Sequence, residues 1–232
     1  MSPSPTARGP SDVFARPTSA ILCGANRSLL NWVAYGLAAS EGREFVWTNV
    51  ELDGEVMEDS DLLSKDLIPR DRFLTVRPNT LVRDEFAGNV ALGGLVRTDE
   101  PTEAIRRFAD FLRLPLHTQA VISRLPRTGP PVVLVLSNVQ RMAALYPTEA
   151  VAPTVRSIVE SGASLLLTWA DAPSKGRFAF ENVLHLRGSE PSAWREAVLR
   201  VEQASPDGPL RAGDELCLGD FAPVASTLTK VL

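Results

Sequence analysis

Short apolar runs alternate with longer stretches of mixed polarity along most of the chain. Residues 19–23, SAILC, are apolar at nearly every position, which predicts a short strand buried on both faces. Asn26 then stands where a helix N-cap would. From Arg27 to about Ser40, the positions of Leu29, Leu30, Trp32, Val33, Leu37 and Ala38 predict a helix. It carries more apolar residues than a helix with one wet face allows, so it is expected to be largely buried. EFVWTNVE (44–51) and RFLTVRP (72–78) read as the next two strands, and the acidic stretch 51–66 between them as a loop with a short helix.

Farther on, Pro101 opens a run in which Ile105, Phe108, Ala109 and Leu112 recur at helical spacing, an amphipathic helix with Arg106, Arg107 and Arg113 on its wet face. A further helix is expected over about 117–125. PPVVLVLSN (130–138) holds five consecutive aliphatics, which places it in the middle of a sheet. TEAVAPTVRSIVESG reads as a helix stopped at Gly162, and ASLLLTWA as another central strand. The pattern then changes. NVLHLRG, EAVLRVEQAS and ELCLGDF are short strands separated by turn residues, as in an antiparallel meander. The expected fold class is α/β: a mainly parallel sheet, helices on both faces and an antiparallel C-terminal extension.

Composition narrows the function classes. The chain has 232 residues, 44% hydrophobic and 22% charged, as a globular domain does. A net charge of −4 argues against a general nucleic-acid binder, which needs a basic footprint. Residues 1–12, which combine Pro, Ser, Gly and Thr without apolar periodicity, are expected to be a flexible tail before a single domain at 13–232. The N-terminus lacks the apolar core of a signal peptide, and no apolar run approaches the roughly 18 residues of a membrane span. The expected location is the cytoplasm. Two cysteines and two histidines show no ligand spacing, so no metal site is expected. Cys23 and Cys217 read as buried small hydrophobes, with one disulfide between them left open. His117 and His185 show no partners in the sequence. Trp32 and Trp47 are expected in the core, and Trp169 and Trp194 nearer the surface.

The candidate chemistry lies where the first strand runs into Gly24, a turn and a helix, the outline of a phosphate-binding loop. With the later strands VVLVLSN and ASLLLTWA and the closing run FENVLHLRG, REAVLRVEQAS and ELCLGDF, this order resembles the RecA/KaiC-like branch of the P-loop ATPases over about residues 13–222. The resemblance implies a RecA-like three-layer fold. In that family the loop wraps ATP, a second strand ends in acidic residues, and a later aliphatic strand ends in a magnesium-organising aspartate.

The residues that carry this chemistry are missing. Counted from Gly24, the pattern G-x-x-x-x-G-K-[ST] puts its second glycine, lysine and hydroxyl on Leu29, Leu30 and Asn31. A shortened loop aligns Arg27 and Ser28 with the Lys-Ser/Thr pair instead. The aliphatic strand ends in Leu136, Ser137 and Asn138, with no carboxylate, and Glu51 falls near the family's acidic pair. The expectation is therefore a degenerate pseudo-ATPase with no cofactor. It would act by protein–protein interaction as a regulatory or assembly subunit, in a homo- or hetero-oligomer. One alternative is a divergent KaiC-like regulatory ATPase that binds ATP and magnesium through Arg27, Ser28 and Glu51. Another is a Rossmann-type small-molecule enzyme in which Gly24 opens the turn and Glu51 or Asp53 binds a ribose, which the antiparallel meander counts against. Each candidate also has a structural reading. Asn26 caps the helix while Arg27 stands in solvent, or the helix start with one cation suits a simple anion. Ser137 and Asn138 close a buried strand, or lie at a sheet edge where ligands bind.

Overall fold

The computed structural model describes residues 10–50, 62, 67–68, 73–76, 82–83, 91–92, 132–137, 155–156, 159–160, 162–170, 180–188, 191–220 and 222–229. The strands are β1 (Ser19–Cys23), β2 (Phe45–Val50), β3 (Phe73–Val76), β4 (Val82–Arg83), β5 (Ala91–Leu92), β6 (Val133–Ser137), β7 (Ser164–Trp169), β8 (Asn182–Arg187), β9 (Val198–Gln203) and β10 (Glu215–Cys217). Eight of them form one sheet in the order β10-β9-β8-β1-β7-β6-β2-β3, while β4 and β5 form a separate antiparallel pair. From β8 to β3 every neighbouring pair is parallel. The pairs β8–β9 and β9–β10 are antiparallel. The fold is thus α/β with a mostly parallel sheet and an antiparallel C-terminal extension. The aliphatic strand β6 lies inside it, between β2 and β7.

Side-chain alternation gives the central strands β1, β6 and β7 two dry faces. Ala20, Leu22, Trp47, Val133, Val135, Leu166, Leu184, Leu186, Leu199 and Val201 share one core cluster with the first helix. The alternate positions Ile21, Cys23, Leu134, Leu136, Leu165, Leu167 and Trp169 are also buried, so the second face of the central strands is covered too. Parallel strands covered on both faces become continuous apolar runs, the form in which β1, β6 and β7 appear in the sequence.

Helix α1 (Arg27–Ala39) begins at Asn26, whose side chain accepts a hydrogen bond from the Leu29 N–H at 2.9 Å. It ends at Ser40, whose hydroxyl donates to the Leu37 carbonyl at 3.0 Å. Ten of its thirteen residues are buried, because the sheet takes one side and the C-terminal helix Ala222–Thr229 packs against it. The short, weakly patterned segment APVASTLT gives no helix signal of its own and is helical through this packing. Val155, Arg156, Val159 and Glu160 are helical. Gly162 follows at φ +92°, a backbone conformation that glycine adopts without strain, and its N–H donates to the Val159 carbonyl at 2.9 Å.

Several expectations change. Trp169 and Trp194 are 4% and 2% exposed: the first ends a strand flanked on both sides, and the second sits in a 3-10 turn, Pro191–Glu196, that packs on α1. Cys217 is partly exposed on the edge strand β10, and both cysteines are free. His185 has a partner, Glu202, across the β8–β9 ladder at 3.1 Å. The helices expected from Pro101 and over 117–125, and His117, lie outside the described residues. Pro10–Phe14 form a 3-10 turn with Phe14 wholly buried. No helix among the described residues is long and apolar enough to cross a membrane.

Candidate functional site at the carboxyl edge of the sheet

Because β8, β1, β7, β6, β2 and β3 run the same way, their carboxyl ends share one edge. Cys23 aligns with Trp169 on one side and His185 on the other, and Asn49 aligns with Ser137. The connections leaving β1 and β2 head towards β3, whereas those leaving β6 and β7 head towards β8. Strand order reverses within this edge, which is where open α/β sheets leave a crevice for ligands. The β1–α1 turn and the end of β6 both lie there, one strand apart, at a spacing of roughly 10 Å.

The turn itself is compact. Gly24 is buried, and an added β-carbon would stand 2.8 Å from the Leu186 carbonyl oxygen and 3.4 Å from the Leu30 side chain. Its small size is required by the β8 backbone that passes beside it. Ala25, Arg27 and Ser28 are exposed and Asn26 is partly so. The Asn26 side chain occupies the Leu29 amide, and the Asn26 carbonyl accepts from Leu30 at 2.9 Å. One of the amides that a helix start offers to an anion is therefore already used. Leu29 and Leu30 are 0% and 1% exposed and belong to the core, and Asn31 is 2% exposed with its Oδ1 accepting from the Thr168 hydroxyl at 3.1 Å.

At the end of β6 the Ser137 hydroxyl accepts from the Trp47 indole N–H at 3.1 Å, with both side chains fully buried. A buried indole needs such a partner, which accounts for a serine closing an otherwise aliphatic strand. Ser137 thus faces the core beside β2, while Asn138 and Glu51 lie outside the described residues, as does Asp53. Gly24 and Asn26 lie in the β1–α1 turn, Arg27 and Ser28 open α1, and Ser137 has a role within the sheet. The Asn31–Thr168 and Trp47–Ser137 bonds are marked in the sequence only by polar residues inside apolar runs, a signal that names no partner. Among the described residues no group of three His, Cys, Asp or Glu side chains is placed to hold a metal ion. Compared with known proteins, the chain matches no family model and no curated sequence.

Proposed function

We propose that the protein is a non-catalytic, RecA-like pseudo-ATPase that works through protein–protein contacts, as a regulatory or assembly subunit. The single observation that carries this reading is the filled β1–α1 turn. Gly24 abuts the Leu186 carbonyl, Asn26 holds the Leu29 amide, and Leu29 and Leu30 are packed in the core. A triphosphate needs a loop whose successive amides surround the β-phosphate, and a lysine to neutralise it. These residues do not suit that group. Magnesium would further need a carboxylate at the end of β6, where Ser137 is engaged by Trp47. The RecA-like assignment rests on the order of elements, with β1 leading into α1, the interior strand β6, the strand β7 after it, and the antiparallel close of β9 and β10. A chain that does not use this turn for a nucleotide acts through its surfaces, and domains of this layout assemble side by side, so the partners are protein subunits of this or another chain.

Calorimetric titration with ATP and ADP, with and without magnesium, tests the reading together with a hydrolysis assay. No turnover above background is expected and no affinity tighter than about millimolar, a binding free energy near −4 kcal/mol. Micromolar nucleotide affinity that disappears in Arg27→Ala would sink it and establish a divergent nucleotide binder.

A further inference from the structure

The amino edge of the sheet, opposite the turn at Gly24, holds a buried polar cluster that the proposed function does not use. The β8–β9 ladder is interrupted between Val183 and Leu184, where Val183 aligns with Gln203 but Leu184 with Val201, so β9 carries one extra residue. Beyond this bulge side chains take over from the backbone ladder. The Asn182 Oδ1 accepts from the Ser205 N–H at 3.0 Å, and the Gln203 side-chain amide donates to the Phe180 carbonyl at 2.7 Å.

The same Asn182 reaches the other way. Its Nδ2 donates to the Thr18 hydroxyl at 2.9 Å and to the Ser19 carbonyl at 3.4 Å. Thr18 in turn donates to the Glu181 carboxylate, and the Ser164 hydroxyl accepts from the Thr18 N–H and donates to the Arg16 carbonyl, each at 3.3 Å. The Arg16 guanidinium closes the circuit by donating to the Ser205 hydroxyl. Thr18, Ser19, Asn182 and Ser205 are all at most 4% exposed, so water cannot replace a bond lost there without the site opening.

We infer that the N-terminal segment Arg16–Thr18 and the stretch Gln203–Leu210, from the last residue of β9 into the β9–β10 connection, open as one cooperative unit pinned by Asn182. Two independent loops would each be held by their own contacts. Here one side chain supplies bonds to both, and Arg16 and Ser205 join them directly. The connection is itself ordered down to Leu210, with the Gly208 N–H donating to the Ser205 carbonyl at 3.0 Å and Leu210 1% exposed. Whatever engages the N-terminal segment therefore acts on the hairpin at the β10 edge, and this coupling does not depend on how nucleotides behave.

Hydrogen exchange on the full chain tests the coupling, in the wild type and in Arg16→Ala and Asn182→Ala. Arg16 is 40% exposed at its side chain, so its variant is expected to fold even if Asn182→Ala does not. Arg16→Ala should speed exchange of the Thr18, Ser205 and Gly208 amides together by about tenfold, the factor carried by one net hydrogen bond. Amides of α1 should keep their wild-type rates. Faster exchange confined to Thr18 in Arg16→Ala would overturn the inference, because the two segments would then open separately. Equal acceleration throughout α1 would overturn it too, by showing global rather than local opening.

Discussion

At Gly24 the reason for glycine is steric: a β-carbon there meets a backbone carbonyl at 2.8 Å, and neither strand can retreat from a paired ladder. Gly24→Ala should therefore lower stability by about 1–3 kcal/mol, the range for overpacking a dry site, measured as a shift in urea midpoint. Leu30, at the lysine position of the full-length phosphate-loop pattern counted from Gly24, is 1% exposed. Leu30→Lys should cost several kcal/mol by burying a charge, and should create no ATP site, as thermal melts with and without nucleotide will report. Arg27 is exposed in the first helical turn, where a cation opposes the helix dipole. Its replacement by alanine should change stability by no more than about 0.5 kcal/mol. If Leu30→Lys were as stable as wild type, the core role assigned to that residue would be wrong.

Helix α1 is the element on which the interior is built, packed between the sheet and the C-terminal helix. Leu37 is wholly buried, and Leu37→Ala should cost about 2–5 kcal/mol through lost transfer energy and the cavity left behind. Tyr35, on the same helix, packs edge-on against Phe45 with ring centres 5.9 Å apart. Burial raises its phenol above the ordinary value of 10.0 by disfavouring the phenolate. The unfolded chain then loses this proton first. The resulting stability is complete below about pH 10 and falls as pH rises through the higher folded value. Tyr35→Phe should remove that part of the alkaline loss, so the gap between wild-type and variant melting temperatures should narrow or reverse from pH 8 to about pH 11. Parallel curves over that range would show that the phenol is solvated.

Over the whole molecule, the two ends of the described chain converge on one core. Phe14 in the first 3-10 turn and Leu228 in the C-terminal helix are each 0% exposed and belong to the same cluster as α1. Leu228→Ala should lower the melting temperature although it lies four residues from the C-terminus, with a cost of about 2–4 kcal/mol. A loss under about 0.5 kcal/mol would mean that the terminal helix is not part of the cooperative unit. The extension β8–β10 shows the opposite balance on its outer side. There Arg187 on β8 reaches Glu215 on β10 across β9 at 3.4 Å, and His185 meets Glu202 on the neighbouring β9, polar pairs suited to a wet face.

What the sequence by itself determined was local. Unbroken aliphatic runs marked β1, β6 and β7 as strands covered on both faces. Asn26 ahead of an apolar repeat marked the start of α1, and turn residues marked the strands β8, β9 and β10. These features follow from side-chain spacing and capping, which neighbours along the chain settle among themselves. The absence of a phosphate-loop lysine was also legible, since it needs only residue identity. Tertiary structure alone decided which strands pair, that β7 separates β1 from β6, and that Gly24 is small because β8 crosses it. The burial of Trp169 and Trp194 and the docking of a weakly patterned terminal helix were decided at the same level. So were the partners of Ser137, Asn31 and Asn182, which lie 90, 137 and 164 residues away at Trp47, Thr168 and Thr18. A hydroxyl or amide in an apolar run announces that it needs a partner, but the partner is supplied by whichever strand the sheet places beside it.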